Sequence, residues 1–210
     1  MKKSMISVCL AVAALLAGAW SRAEVVYSLP ADFSGVQGQD GWHYGAVPHG
    51  LLGEYYGNAW EANWHDYYYE STYYQDDGPF WAGVFESGIW KRVYGNTLWS
   101  NYTDGPGVYW EAGAGNLYPE VTVLAQRTSG NWVTYLNYWD ASTATNTILT
   151  VGATNTLYNV AAGDKIAFIM NAGPGSTVID GYAMTITIVP EPAALSLLLL
   201  GGLVLARRRR

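Results

Sequence analysis

The side chains best suited to chemistry in this sequence are aromatic rings interleaved with polar groups between Trp42 and Trp110. That segment holds seven of the ten tryptophans and eleven of the seventeen tyrosines of the 210-residue chain. Flat rings can stack on the C–H faces of sugars, while carboxamides and carboxylates hydrogen-bond to neighbouring hydroxyls, as in other binding sites with a few placed polar groups. The composition is typical of a saccharide-binding surface, although Trp and Tyr also serve as bulky core residues.

The best candidates for an exposed ring platform are aromatic residues that lie among glycines and polar residues: Trp42, Tyr44, Trp60 and Trp64. Trp110 lies in the alternating run Val108-Tyr109-Trp110, and we expect it in the core instead. The alternative for the whole segment is that its rings only pack the interior of a domain without disulfides. In that case the chain has no glycan site here.

No motif in the sequence marks an enzyme. Glycoside hydrolysis needs two carboxylates facing each other, and the many acidic residues of the middle segment show no spacing that selects a pair. His43, His49 and His65 do not follow the spacing of a metal site. We therefore expect no catalysis, no cofactor and no metal site, with a jelly-roll lyase or hydrolase as a second alternative. The acidic composition still leaves room for a structural Ca²⁺, whose ligands the sequence does not identify.

Both ends of the chain have the composition of targeting segments. Lys2 and Lys3, an apolar stretch and small residues predict a signal peptide over 1–23, cleaved after Ala23, with a cut near Ala19 as the alternative. At the other end, the motif 189–192 precedes an apolar run over 193–206 and four arginines over 207–210. This run is shorter than the roughly 20 residues of a typical membrane span. The arginines favour retention of that end in the cytoplasm.

The order of a Pro-Glu-Pro motif (Pro190, Glu191 and Pro192), a hydrophobic segment and an arginine cluster resembles the PEP-CTERM family of C-terminal sorting signals. The resemblance implies export through the inner membrane of a Gram-negative cell and transient anchoring there by residues 193–206. It also implies processing at the motif by an exosortase, after which the protein is attached to the cell surface or released. An ordinary C-terminal membrane anchor is the alternative.

The body between these segments, residues 24–188, has the length of one domain. Between residues 24 and 190 there are four basic and sixteen acidic residues, a net charge of −12. Because binding to a phosphate backbone needs clustered Lys and Arg, we exclude nucleic acid as a partner. The one cysteine, Cys9, lies inside the signal peptide. The exported domain must therefore be held together by packing rather than by disulfides.

Short runs of β-branched and aromatic residues, separated by turn residues, predict an antiparallel β-sandwich. The clearest strand predictions cover 121–125, 132–139, 147–151, 156–160, 165–170 and 182–188. In the run 165–170, Ile166, Phe168 and Met170 should share one face of their strand. Within the aromatic segment we predict strands at 80–85 and 107–110, joined by long loops.

Two stretches resemble the jelly-roll domains of exported bacterial proteins. One is a Val-x-x-Gly-Asp-x-Ile-x-Phe strand from Val160 to Phe168, and the other is the Gly-Gln-x-Gly-Trp-x-Tyr-Gly run over 38–45. Those domains are similar in outline to carbohydrate-binding modules. This resemblance supports the fold more than the function. From the aromatic segment and the sorting motif we expect a cell-surface or matrix protein that binds extracellular polysaccharide without catalysis. A structural matrix or biofilm protein without a glycan site is the alternative.

Overall fold

The computed structural model describes residues 24–48, 60–66, 68–70, 80–82, 92–101, 104–131, 133–171 and 177–189. The predicted signal peptide, the Pro-Glu-Pro motif, the apolar run 193–206 and the arginine cluster lie outside these ranges. In the described ranges, regular structure consists of β-strands and two 3₁₀ turns, at Gln39–Gly41 and Glu61–Asn63. No helix within them is long and apolar enough to cross a membrane.

In chain order the described strands are β1 (Val25–Leu29), β2 (Trp42–Pro48), β3 (His65–Asp66), β4 (Tyr68–Glu70), β5 (Phe80–Ala82), β6 (Arg92–Val93), β7 (Thr97–Asn101), β8 (Asp104–Glu111), β9 (Leu117–Arg127), β10 (Val133–Asp140), β11 (Thr145–Leu149), β12 (Thr154–Ala161), β13 (Lys165–Asn171) and β14 (Thr177–Val189). Eight of them form a first sheet in the order β12-β9-β14-β7-β6-β5-β4, with β1 beside β14. The other six form a second sheet in the order β11-β10-β13-β8-β2-β3. All neighbouring strands of the second sheet are antiparallel.

The two sheets face each other across one hydrophobic core. The second sheet contributes Trp42, Tyr44, Val108, Trp110, Leu136, Ile166, Phe168 and Met170, and the first contributes Leu29, Leu98, Val121, Val123, Leu157, Tyr182, Met184 and Ile186. Burial of Trp110, 1% exposed, confirms its predicted place in the core. The described residues therefore form an all-β, sandwich-like fold of mostly antiparallel sheets, as the sequence predicted.

The middle of the second sheet, around β8 and β13, is covered on both faces. Ile166, Phe168 and Met170 point into the core between the sheets, as predicted. Ala167 and Ile169 of the same strand are also fully buried, in a second cluster on the outer face. That cluster includes Trp60, which comes from the segment between β2 and β3. A strand buried on both faces has a continuous apolar sequence, which explains the run Ile-Ala-Phe-Ile-Met.

The turn between β12 and β13 is fixed by Asp164, whose side chain is 2% exposed. Its Oδ2 accepts hydrogen bonds from the Tyr138 hydroxyl at 2.6 Å and from the Ala161 N–H at 2.9 Å. Its Oδ1 accepts from the Ala141 N–H at 2.9 Å. The backbone carbonyl of Asp164 accepts from the N–H of Ala112 at 2.9 Å. One residue thus connects the turn after β10, the turn after β12 and the segment after β8.

Candidate functional site

The structure buries three of the four residues predicted to form an exposed platform. Trp42, Tyr44 and Trp60 are all 0% exposed, so the prediction that their rings face solvent is wrong. Trp42 and Tyr44 lie two residues apart on β2, opposite Trp110 and Val108 of β8. Because side chains two residues apart share a face of a strand, both rings enter the core. Burial raises the pKa of the Tyr44 hydroxyl to about 12.

Trp60 and Trp64 lie together, but on the opposite face of the second sheet from Trp42 and Tyr44. Their ring centroids are 6.0 Å apart in an edge-to-face arrangement. The Trp60 indole donates a hydrogen bond to Asn146 Oδ1 at 2.9 Å, and the Trp64 indole donates to Asp66 Oδ1 at 2.9 Å. Trp64 keeps some exposed surface. The four predicted residues therefore do not form one platform, and only Trp64 has a partly exposed ring.

A different part of the molecule forms an open cleft, with a volume of about 330 Å³. Three aromatic residues line it: Tyr27, Trp110 and Tyr118. Its polar lining residues are Asp40, His43, Glu111 and Asn116. The sequence predicted this combination of rings and hydrogen-bonding groups, but at other residues.

One wall of the cleft is the 3₁₀ turn Gln39–Gly41. Gly38, Asp40 and Gly41 all have positive φ angles, of 78°, 53° and 83°. A Cβ on Gly41 would lie 2.7 Å from the Glu111 carbonyl oxygen and 2.8 Å from the Trp110 indole nitrogen, so this position requires glycine. The Gly38 N–H donates to the Trp42 carbonyl at 2.8 Å, which ties the turn to the start of β2. This geometry places the exposed side chain of Asp40 beside the cleft.

The rings of the cleft pack in a tilted row around Trp110. The centroid of Tyr27 lies 5.6 Å from that of Trp110, and the centroid of Tyr118 lies 5.9 Å from it. Tyr27 and Tyr118 are partly exposed, whereas Trp110 is buried. The Asn116 side-chain amide donates a hydrogen bond to the Tyr118 hydroxyl at 2.9 Å. That hydroxyl can still donate its own proton to a bound molecule.

His43 and Glu111 lie side by side in the lining. The His43 ring stacks on Tyr109 with a centroid distance of 4.4 Å, and its Nε2 lies 3.8 Å from Glu111 Oε2. Burial is the main cause that lowers the pKa of His43 below its ordinary value of 6.5. The negative charges of Glu111 and Asp66 raise this pKa and the positive charge of Lys165 lowers it, and the net effect is a lower pKa. The imidazole is therefore neutral at pH 7, and the pair is no ion pair at that pH.

The indole nitrogen of Trp110 is buried and has no hydrogen-bond partner among the described residues. Gly41 packs closely against it, and both residues line the cleft. Buried donors are nearly always satisfied, so such a group calls for an explanation. The indole nitrogen of Trp42, inside the core, is in the same state, so this feature does not by itself mark a ligand site.

The described residues contain no group of three or more His, Cys, Asp or Glu side chains arranged to hold a metal ion. His49 lies outside the described residues, as do the acidic residues at positions 54, 76 and 77. The ligand set of a structural Ca²⁺, which the sequence left open, is not identified by this structure.

No protein-family model and no curated protein matches this sequence. Among solved structures, the chain is similar to an RmlC-like cupin from Shewanella frigidimarina, with 9% sequence identity over 57% of this chain and 90% of the cupin. The TM-score of that comparison is 0.18. A likeness at this level carries no argument about fold or function, so the site must be interpreted from its own geometry.

Proposed function

We propose that this protein is an exported, non-catalytic polysaccharide-binding protein and that the cleft beside Tyr27, Trp110 and Tyr118 is its glycan site. The observation that carries the proposal is the cleft itself, in which a row of rings is bordered by Asp40, Glu111 and other polar groups. Its volume of about 330 Å³ lies at the lower end of the range for small-molecule sites, roughly 300–1,000 Å³. A cleft of this size suits one or a few sugar units of a longer chain.

The residues that line the cleft offer two kinds of contact to a bound sugar. The partly exposed rings of Tyr27 and Tyr118 offer faces for the C–H groups of a sugar. Glu111, Asn116 and the Tyr118 hydroxyl offer hydrogen bonds to its hydroxyls. The neutral imidazole of His43 adds a group that can donate or accept.

A pair of matched tyrosine variants tests the proposal. Full-length protein in mild detergent is passed over immobilised polysaccharides, including the matrix of the producing cells. We expect retention on at least one glycan, lost in Tyr118→Ala and kept in Tyr158→Ala. Tyr158 is the suitable control because it lies on β12, is 66% exposed and does not line the cleft. Equal retention of both variants would refute the assignment of the cleft.

We also propose that residues 189–210 act as an exosortase sorting signal and that the protein reaches the cell surface or the extracellular matrix. The sequence of the segment supports this proposal. The intact mass of cell-associated protein should lack residues 1–23 and everything after the Pro-Glu-Pro motif. Arg210 still present in a strain with active exosortase would favour an ordinary membrane anchor. The strand order and the Val-x-x-Gly-Asp-x-Ile-x-Phe strand lead us to propose further that the sandwich is jelly-roll-like.

The alternative is a structural matrix protein without a glycan site. The observation in its favour is the complete burial of Trp42, Tyr44 and Trp60, because rings that fill the interior need no ligand to explain them. This alternative predicts that no glycan retains the protein and that Tyr118→Ala changes only stability.

A further inference from the structure

Strand β11 lies at one edge of the second sheet. β10 is its neighbour on one side, and no described strand pairs with its other side. The backbone N–H and C=O groups along such an edge are a template for a further strand. The side chains of Thr145, Thr147 and Ile148 are exposed, and the apolar Ile148 keeps 58% of its surface in solvent.

The strands at the other ends of the two sheets have features that hinder such pairing. In the described part of the chain, β3 and β4 are only two and three residues long, and they contain the charged residues Asp66 and Glu70. β12 is longer, but Asn159 within it has a φ of 58°, which interrupts the extended backbone. Short strands, charges and breaks in regular geometry all protect a sheet edge. β11 has none of them, because its five residues include no charge, no Pro, no Gly and no positive φ.

We propose that β11 pairs antiparallel with β11 of a second copy of this chain, so that the second sheets of two molecules join into one continuous sheet. The charge distribution supports a second copy as the partner. Residues 24–190 carry a net charge of −12, so most faces of two copies repel each other. From 141 to 163 no residue is charged, and this run contains both β11 and β12. Two copies can therefore approach at this edge without bringing carboxylates together.

The sequence of β11 also fits its own antiparallel copy. When the two strands overlap completely, the middle residue Thr147 lies opposite its own counterpart, and Thr–Thr pairs across strands are favourable. The two Ile148 side chains then become diagonal neighbours on one face, which covers apolar surface that is now exposed. This arrangement has a two-fold axis and closes on itself, so it gives a dimer and not a fibre.

Asp140 does not oppose this pairing. It lies on β10 opposite Thr145 and is the charged residue that borders β11 there. Three strand spacings separate the two Asp140 residues of the dimer, roughly 14 Å at ~4.8 Å each, which exceeds the screening length of ~8–10 Å at physiological salt.

The test is sedimentation velocity of the full-length protein in mild detergent over a series of concentrations. We expect a monomer–dimer equilibrium. Thr147→Lys should weaken dimerisation at least about fivefold, because it places like charges directly opposite each other. Thr156→Lys is the matched control, since it adds the same charge at an exposed Thr of the other long edge strand, β12. It should leave the dimerisation constant unchanged.

A charge exchange separates loss of pairing from misfolding. Thr147→Glu should also weaken self-association, for the same reason as Thr147→Lys. An equimolar mixture of the two variants should form dimers again, because opposite charges then face each other across the two strands. Mixing would not rescue variants that had simply unfolded.

Four results would overturn the inference. A monomer at every concentration would show that the edge of β11 stays single. A dimer that Thr147→Lys leaves intact would form through another surface, the apolar terminal segments included. An equal loss in Thr156→Lys would show a general effect of charge. A mixture of the Thr147 variants that stays monomeric would exclude pairing centred on Thr147. The proposed glycan site is tested separately, by retention on polysaccharides, and does not depend on these outcomes.

Discussion

Replacing Asp164 by Ala should strongly destabilise the domain. The carboxylate accepts three hydrogen bonds, from Tyr138, Ala141 and Ala161, at 2.6 to 2.9 Å in a site that is 2% exposed. Hydrogen bonds to charged groups contribute roughly 1.5–3 kcal/mol each, and they are not additive within one network. We therefore expect a loss of about 3–5 kcal/mol, a large part of the ~5–15 kcal/mol that stabilises a typical domain.

The loss is measured by urea unfolding followed by tryptophan fluorescence. Asp164→Asn should cost less, about 2–3 kcal/mol, because it keeps one acceptor oxygen and places an NH₂ group against the remaining donors. Tyr138→Phe removes a single bond and should cost about 1–1.5 kcal/mol. In the double variant Asp164→Ala with Tyr138→Phe, the two costs should add to more than the measured total, because both changes remove the same bond.

Asp140 provides the matched control. Its carboxylate also accepts three hydrogen bonds, from the Ser142 N–H, the Ser142 hydroxyl and the Thr143 N–H, but in an exposed turn. Because water can replace each of them, Asp140→Ala should cost no more than about 1 kcal/mol. A cost for Asp164→Ala within 1 kcal/mol of the Asp140→Ala value would refute the claim that burial makes the Asp164 network critical.

Three further changes test other parts of the structure. Because burial lowers the pKa of His43 from 6.5, the unfolded chain takes up a proton more readily, so stability should fall as the pH drops below about 6.5. The variant His43→Gln should flatten this part of the curve of Tm against pH. Gly41→Ala should lower stability by about 1–3 kcal/mol in urea unfolding, since it combines a positive φ with a contact of 2.7 Å to the Glu111 carbonyl. Trp60→Phe keeps most of the packing but leaves Asn146 without its indole donor, so we expect a loss of about 1–3 kcal/mol by the same assay. A neutral result in any of the three would contradict the contact on which it depends.

The sequence predicted the second half of the sandwich well because period-two alternation and turn residues mark its strands. The predicted strand over 121–125 is part of β9, and Gly163-Asp164 forms the predicted turn before β13. The observed strands β9 and β14 begin four to five residues earlier than predicted, since continued pairing with neighbours outweighs a weak local pattern.

The first half was predicted less well because β2 and β8 lie in the part of the second sheet that is covered on both faces. Trp42 and Tyr44 were expected in an exposed loop, yet they lie on β2, where the intervening His43 is itself half-buried against Tyr109. When both faces are covered, polar and apolar residues no longer report which side faces water. Predicting the burial of these rings would have required the pairing of β2 with β8, which places Trp42 opposite Trp110 and Tyr44 opposite Val108, far away in the sequence.

The cleft could not be predicted from spacing because it combines separated pieces of chain. Its lining comes from Tyr27, the turn around Asp40, the segment after Trp110, and Tyr118. These parts lie together only after β1, β2, β8 and β9 have assembled into the two sheets. One local signal was present in the sequence. Asp40 stands between Gly38 and Gly41, and glycines that permit positive φ often mark a turn that presents a side chain.

The two-sided burial of β13 has a consequence for motion within the native protein. Five consecutive residues, Ile166 to Met170, are 0% exposed, and β10 and β8 pair with the strand on either side. Its amide hydrogens can reach solvent only if the layers on both faces separate from it, which is close to complete unfolding. In deuterated buffer this strand should therefore be the last segment to exchange, at a rate set by the global stability of the domain. The rim of the cleft at Asp40 should exchange early, because short-lived local openings are sufficient there.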